Sequence, residues 1–193
     1  MNQMVPDLFL GDLKSSFEVD LLCEKRINVI VPLTDARWTR WNCRTRKAGI
    51  LESHHKWTQC ADTSYQDLLI HMTDACDLIE EMATPVLKSS ATLVHCEMGN
   101  SRSATFIMAY LMRKYEASLE AVYDLVWSKS RIIPRANFIR QLQIWGLMKY
   151  QIWQDEEKTV PKPLYREYLD DRALFLKCNG VMEKEPLAAQ VAA

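Results

Sequence analysis

The sequence has no Cys-x-x-Cys pair. Its six cysteines lie far apart, at positions 23, 43, 60, 76, 96 and 178. Zinc sites usually need cysteines at short spacings, and disulfide frameworks are typical of short secreted chains that are dense in cysteine, so this pattern argues against either. Scattered free cysteines are typical of a reducing compartment. We therefore expect a cytoplasmic and/or nuclear protein, and we expect no metal or other cofactor.

Long apolar runs and a charge surplus are also lacking. No segment approaches the ~18 apolar residues of a membrane span, and the N-terminus lacks the basic-then-apolar pattern of a secretory signal. The formal net charge of the 193 residues is −1. Without a basic surplus, neither a membrane surface nor nucleic acid is an expected partner.

The most informative stretch lies near the middle of the chain. An apolar run, 92–94, precedes it, and a helix-like segment, 104–114, follows. The stretch reads His95-Cys96-Glu97-Met98-Gly99-Asn100-Ser101-Arg102-Ser103. A strand, a tight loop and a helix in this order direct several backbone N–H groups at one point, which makes an anion site.

Four residues of this loop have distinct predicted roles. Gly99 permits backbone angles that a side chain would hinder, and the planar guanidinium of Arg102 can hold two phosphoryl oxygens. The same positive field favours a thiolate at Cys96, the form that attacks phosphorus and bonds to it. Ser103 can donate a hydrogen bond to this thiolate when it leaves. The alternative is a structural cysteine beside a capping loop, which the full combination of residues disfavours.

The stretch resembles the active-site signature of the cysteine-dependent phosphatases, H-C-x-x-G-x-x-R-[S/T]. The runs 101–105 and 109–112 resemble the dual-specificity branch, as do 5–11, 27–31, 118–122 and 138–142, so that the resemblance covers residues 4 to 150. Segment 64–71 is most similar to fungal members of a subgroup that often carries a C-terminal zinc-binding domain. Without a Cys-x-x-Cys pair, we expect that domain to be missing from this chain.

The resemblance implies an α/β fold of the protein tyrosine phosphatase type, in which helices flank a central, mostly parallel twisted sheet. It implies a phosphoric monoester hydrolase that acts on phosphoproteins through a cysteinyl-phosphate intermediate. It also implies that His95 shapes the loop by hydrogen bonding. The implied phosphate-binding residues are Glu97, Met98, Gly99, Asn100, Ser101 and Arg102.

Apolar periodicity predicts strands at 8–10, 29–33, 56–61 and 92–95, and helices at 64–82, 101–115, 119–128 and 136–148. Ser64 and Asp67 are the expected N-cap pair of the first of these helices, and Pro85 lies just beyond its end. An acidic, proline-containing stretch then predicts a break in the chain. We expect a catalytic domain at 1–155, and at 156–193 an extension with a helix at 164–177 and a disordered tail.

Phosphoryl transfer from an alcohol or a phenol also needs a proton for the leaving oxygen, and a carboxylic acid on a nearby loop can supply it. Asp62 is the candidate, because it follows a predicted strand and resembles the family's general-acid loop in spacing and context. Asp67 is the competitor, but its position at a helix start is explained by capping.

One departure from the family pattern concerns the residue that braces the phosphate loop. The family often has Pro-Asn-x-Gly-Phe before the last helix, and the Asn of this motif is the brace. Here the segment reads Pro134-Arg135-Ala136-Asn137-Phe138. Either the brace is missing or Asn137 supplies it from a shifted place.

The substrate class follows from the loop interior and from what surrounds it. Glu97 repels additional negative charge, so inositol lipids with several phosphates are disfavoured. Phosphotyrosine, phosphoserine and phosphothreonine in a protein are the expected substrates, and a shallow cleft is expected because a long recognition loop has no room. Two alternatives stay open: a phosphopeptide-binding or assembly factor on a phosphatase fold, and an RNA 5′-phosphatase.

Residues 35–56 are basic and, together with the residue that follows, carry interleaved tryptophans. Such a composition can hold phosphate-rich segments or single-stranded nucleic acid. The favoured interpretation is a solvated connecting segment whose tryptophans pack on the domain. The residues concerned are Arg37, Arg40, Arg44, Arg46, Lys47 and Lys56, with Trp38, Trp41 and Trp57.

Overall fold

The computed structural model describes residues 1–82 and 91–181. Within them, five strands are β1 (Asn2–Val5), β2 (Leu8–Gly11), β3 (Ile27–Thr34), β4 (Thr58–Gln59) and β5 (Ala91–His95). The helices of the same residues are α1 (Val19–Glu24), α2 (Cys43–Lys47), α3 (Leu69–Met82), α4 (Arg102–Tyr115), α5 (Leu119–Lys129), α6 (Ala136–Leu147) and α7 (Pro163–Cys178).

The strands form one sheet in the order β1-β2-β5-β3-β4. Only the β1–β2 pair is antiparallel, so the predicted mostly parallel sheet is confirmed. All five residues of β5 are buried, as expected for a central strand covered on both faces. At its end, His95 pairs with Gly11 on one side and with Pro32 on the other. The loop that follows leaves the carboxyl edge of the sheet, where α/β proteins bind ligands.

The predicted strand at 8–10 is confirmed as β2, and the structure adds a further strand, β1, before it. The chain forms two antiparallel strands, β1 and β2, which are joined by a turn at Pro6 and Asp7. Proline has no N–H to donate to a strand ladder. Asp7 has φ of 61°, a left-handed conformation that aspartate tolerates better than most residues.

Helix α3 begins at Leu69 rather than at Ser64, so the predicted start was wrong. Asp67 Oδ1 accepts a hydrogen bond from Leu69 N at 2.9 Å, and the side chain of Gln141 accepts from Leu68 N and Leu69 N. These acceptors satisfy the free N–H groups of the first turn at this later point. Asp67 is therefore a capping residue, and Pro85 lies outside the described residues.

The chain divides into two compact units, and the second begins at Ile152. In the second unit, the rings of Trp153 and Tyr165 meet edge to face at 5.6 Å, and Tyr165 stacks on Tyr168. Helix α7 extends the predicted helix, 164–177, by one residue at each end. The predicted disordered tail lies outside the described residues, and the functional boundary at residue 155 stays a prediction. None of the described helices is long and apolar enough to cross a membrane.

Candidate active site

The loop between β5 and α4, residues 96–101, contains one position whose backbone conformation and surroundings suit only glycine. Gly99 has φ of 72°. A Cβ at this position would lie 2.6 Å from the carbonyl oxygen of Gly11, far closer than van der Waals contact. The loop therefore packs directly on the backbone at the end of β2, and any side chain at position 99 would force the two apart.

Three hydrogen bonds from different parts of the fold hold this loop in place. Leu13 N donates to the carbonyl oxygen of Glu97 at 3.1 Å, and Ile133 N donates to that of Asn100 at 2.8 Å. Thr105 Oγ1 donates to the carbonyl oxygen of Ser101 at 2.9 Å. Because these three carbonyl oxygens are hydrogen-bonded to other parts of the fold, the loop is held in its conformation before any ligand binds.

The cysteine of the loop, Cys96, is buried and has a serine hydroxyl beside it. Ser103 Oγ donates to Cys96 Sγ at 3.1 Å, and both residues are almost fully buried. Cys60 and Cys76 are also buried, and burial raises the pKa of each to about 12. Desolvation disfavours a thiolate at both, so they remain thiols at neutral pH.

Arg102 lies beneath the loop with 2% of its side chain exposed. Its Nη1 donates to the carbonyl oxygen of Cys60 at 2.9 Å, and its Nη2 lies 3.3 Å from Glu97 Oε2. Its buried Nε has no hydrogen-bond partner among the described residues. A buried guanidinium with an unsatisfied donor is suited to an anion that supplies the missing acceptor.

Three other residues of the loop, Glu97, Met98 and Asn100, differ in their exposure and contacts. The Glu97 carboxylate pairs with Arg102 and is 57% exposed, so its side chain lies at the mouth of the loop. Met98 is 75% exposed and also lies on the outer side. The Asn100 carbonyl is used by Ile133. The backbone N–H groups of these residues stay candidate donors to an anion.

His95 is buried behind the loop. Its Nδ1 lies 3.3 Å from the carbonyl oxygen of Cys96, close enough for the ring N–H to donate. Burial lowers the pKa of His95 to about 4, because desolvation disfavours the imidazolium. At neutral pH the ring is uncharged, and its contact with the backbone agrees with the loop-shaping role that the resemblance implied.

Asp62 lies at the rim of the loop and is held by two donors. Ser101 Oγ donates to Asp62 Oδ1 at 3.1 Å, and Arg135 Nε donates to the same oxygen at 2.5 Å. The side chain of Asp62 is 31% exposed, that of Arg135 48%. The structure therefore brings the candidate acid to the loop that carries Cys96, although the two residues are distant in sequence.

Arg135, directly before α6, and Asn137, in its first turn, both bind the segment that carries Asp62. Arg135 contacts Asp62 itself, and Asn137 Nδ2 lies 3.3 Å from the carbonyl oxygen of Thr63 and 3.4 Å from that of Gln66. The phosphate loop is instead braced by the backbone of Ile133. Arg135, which stands where the family pattern often has Asn, contacts the segment that carries Asp62.

Gln141 was not predicted as a functional residue, although it is fully buried at the centre of this arrangement. Its Nε2 donates to the Gln66 carbonyl at 2.8 Å, and its Oε1 accepts from Leu68 N at 2.6 Å. It therefore joins α6 to the segment between Asp62 and α3. The sequence held one signal for this role, namely a glutamine next to the apolar stripe of α6. A glutamine that is buried at such a position needs polar partners.

The comparison with known proteins agrees with this geometry. The family model for the dual specificity phosphatase catalytic domain matches residues 8–147. The chain belongs to the dual specificity phosphatase family. The match extends from the start of β2 to the end of α6 and includes the loop 96–101.

Two curated members of the dual specificity phosphatase family illustrate the relationship. Dual specificity protein phosphatase 9 of Homo sapiens is 34% identical over 141 residues, which are 72% of this chain and 34% of that protein. Tyrosine-protein phosphatase yvh1 of Schizosaccharomyces pombe is 36% identical over 123 residues, 63% of this chain and 36% of that protein. The chain thus spans about a third of the length of these curated relatives.

A solved structure from the same family has the same fold. The crystal structure of the Yvh1 phosphatase domain from Chaetomium thermophilum has a TM-score of 0.66 and 28% identity, covering 76% of this chain and 95% of that chain. The predicted fold is confirmed. The two Yvh1 relatives also confirm the predicted similarity to fungal members of the dual specificity phosphatases.

Proposed function

We propose that this protein is a protein phosphatase that hydrolyses phosphotyrosine and phosphoserine or phosphothreonine through a cysteinyl-phosphate. The single observation that carries the proposal is the hydrogen bond from Ser103 Oγ to Cys96 Sγ, at 3.1 Å. A hydroxyl aimed at a cysteine sulfur is what a leaving thiolate requires. The buried Arg102, with its unsatisfied Nε, supports a phosphoryl group as the ligand beside that sulfur.

In the first step, the Cys96 thiolate attacks phosphorus and a P–S bond forms. The P–O bond to the substrate breaks, and Asp62 gives its proton to the leaving oxygen. Arg102 and the backbone N–H groups of the loop hold the equatorial phosphoryl oxygens, which carry the charge of the transition state.

In the second step, water attacks the cysteinyl-phosphate. Asp62, now a carboxylate, takes a proton from the water as the P–S bond breaks. The electron pair returns to Cys96, and the Ser103 hydroxyl stabilises the emerging thiolate. Inorganic phosphate and the original thiolate are the products, so the cycle is complete.

The relatives include dual specificity protein phosphatases and a tyrosine-protein phosphatase, which supports phosphoproteins as substrates. The proposal is tested by hydrolysis of p-nitrophenyl phosphate and of phosphopeptides carrying phosphotyrosine or phosphothreonine. Turnover that orthovanadate inhibits supports it. Binding of the same phosphopeptides without turnover would instead favour the binding or assembly factor.

Ser103→Ala is expected to slow the second step more than the first. Loss of a hydrogen bond to a charged leaving group, about 1.5–3 kcal/mol, corresponds to roughly a 10–100-fold lower kcat. The phosphoenzyme then accumulates, and stopped-flow hydrolysis of p-nitrophenyl phosphate shows a burst of nitrophenol. Ser103→Thr, which keeps the hydroxyl, is the matched control. A loss of rate without a burst would contradict the role of Ser103.

Arg135→Gln is expected to impair proton donation, because Asp62 then keeps only the Ser101 contact and occupies more positions. The pair is partly exposed, so a loss of about tenfold in kcat/KM on an alkyl phosphate is expected. Hydrolysis of 2,4-dinitrophenyl phosphate, whose leaving group needs no proton, is expected to change by less than about twofold. The exposed Arg166 in α7 provides the control, Arg166→Gln. Equal losses on both substrates would show that Arg135 does not act through Asp62.

A further inference from the structure

Residues 36–51 contain five cations and no carboxylate, although the whole chain has a formal net charge of −1. We call these cations the basic patch: Arg37, Arg40, Arg44, Arg46 and Lys47. All five are exposed. Within the described residues none of them forms an ion pair, since the salt bridges there involve other cations. The patch is therefore a local surplus of positive charge that the protein itself does not neutralise.

Three of the arginines lie over aromatic rings. The distances from guanidinium carbon to ring centroid are 4.3 Å for Arg40 on Trp57, 5.1 Å for Arg44 on Phe17 and 4.7 Å for Arg46 on Trp41. A guanidinium stacked on a ring keeps its N–H donors at its edge. These donors stay available for carboxylate or phosphate oxygens while the side chain itself is held in one orientation.

The backbone beneath the patch is also held in place. Asn42 caps α2, with Asn42 Oδ1 accepting from Arg44 N at 2.9 Å and Thr45 Oγ1 accepting from Asn42 N at 2.9 Å. The indole N–H of Trp41 donates to the Ile50 carbonyl at 2.9 Å. A surface that is ordered before binding loses less conformational entropy when a ligand arrives.

The patch begins at the same edge of the sheet as the phosphate loop. Strand β3 ends at Thr34, directly before the patch, and its Pro32 pairs with His95 at the end of β5. Phe17, on whose ring Arg44 stacks, is the last residue of a short 3-10 helix, Ser15–Phe17. This helix follows Leu13, whose N–H donates to the carbonyl oxygen of Glu97 in the loop. The basic patch and the phosphate loop therefore start from the same edge of the sheet, where α/β proteins bind ligands.

We infer that the basic patch docks an acidic segment of the phosphoprotein substrate, with side-chain carboxylates or further phosphates on either side of the reacting residue. This inference rests on the proposed function and names the substrate class of the same site. It adds a role to the predicted connecting segment, in which Trp41 and Trp57 are partly buried, as expected for tryptophans that pack on the domain.

Single-stranded nucleic acid fits the patch less well, because binding it without sequence preference relies on open aromatic faces for base stacking. Here an arginine guanidinium lies over each of the rings of Trp57, Trp41 and Phe17. Phe17 also stacks on Trp38, with ring centroids 5.9 Å apart. Trp38, 62% exposed, is left as the accessible ring of this group. The geometry presents cations rather than stacking surfaces.

The test compares two phosphotyrosine peptides of equal length, one with glutamates and one with glutamines at four flanking positions. The full chain is expected to have about a tenfold higher kcat/KM on the acidic peptide at low salt, with the preference decreasing as NaCl is added. The variant R37Q/R40Q/R44Q is expected to lose this preference. The control K149Q/R166Q/K177Q removes the same charge from exposed positions elsewhere and is expected to keep it. Activities are divided by that on p-nitrophenyl phosphate, and melting temperatures report folding.

Binding of the fluorescein-labelled peptides to Cys96→Ser, measured by anisotropy, separates this inference from the proposed function. Turnover of both peptides with equal kcat/KM overturns the docking surface and leaves the phosphatase intact. Preferential binding of the acidic peptide without any wild-type turnover supports the docking surface and overturns the phosphatase. Tighter competition by an oligouridylate than by the acidic peptide, lost in R37Q/R40Q/R44Q, would assign the patch to nucleic acid and overturn the inference.

Discussion

Cys96→Ser is expected to abolish hydrolysis of aryl phosphates and phosphopeptides, with a loss of roughly 10⁴–10⁶-fold in kcat. The serine hydroxyl stays protonated at neutral pH and cannot replace a thiolate as nucleophile, so the covalent route is closed. Phosphopeptide binding is expected to persist, because Arg102 and the backbone of the loop are unchanged. The measurements are initial rates on p-nitrophenyl phosphate and titration of a labelled phosphopeptide.

The matched control is Cys76→Ser. Cys76 is also buried, burial raises its pKa to about 12, and it lies on α3 outside the site. A serine on a helix can donate its hydroxyl to a carbonyl one turn earlier, so this substitution is tolerated and kcat stays close to the wild-type value. Activity that survives in Cys96→Ser would refute the cysteinyl-phosphate mechanism, whatever the control shows.

Asp62→Ala is expected to have an effect that depends on the leaving group. Removal of a general acid costs about 10²–10⁴-fold on alkyl phosphates such as phosphothreonine, whose leaving alkoxide needs a proton. Hydrolysis of 2,4-dinitrophenyl phosphate is expected to decrease much less, because its phenoxide is already a good leaving group. A plot of log kcat against leaving-group pKa is therefore steeper for the variant than for wild type.

Asp62→Asn sharpens this experiment, since an amide oxygen still accepts from Ser101 and Arg135 but carries no transferable proton. Its rates are expected to follow those of the alanine variant. Asp67→Ala supplies the contrast, because Asp67 caps α3 through Leu69 N. Its expected effect is a loss of about 1 kcal/mol in the free energy of unfolding, with no change in leaving-group dependence. A leaving-group effect at Asp67 and none at Asp62 would reassign the acid.

The difference between these two aspartates shows how far a pattern can identify an acid. Asp62 follows a strand and precedes a helix, which placed it on a loop, and the structure puts it at the rim of the phosphate loop. The pattern put the start of α3 at Ser64, five residues early, because Ser64 and Asp67 have the spacing of a capping pair. The acceptor that decides the actual start belongs to Gln141, more than seventy residues away.

The sequence by itself determined the proposed chemistry of the loop, because nine adjacent residues contain the proposed nucleophile, the arginine proposed to bind the anion, the glycine and the hydroxyl. Strand, turn and helix propensities act over such short distances, so their order could be predicted. Only the tertiary structure decided which donors hold Asp62, since Arg135 and Ser101 meet it through the packing of α6 and the loop. Likewise, it decided that Arg40 and Arg44 of the basic patch stack on aromatic rings, because Trp57 and Phe17 reach them from other segments. Contacts of this kind depend on how the elements pack, and no local pattern records them.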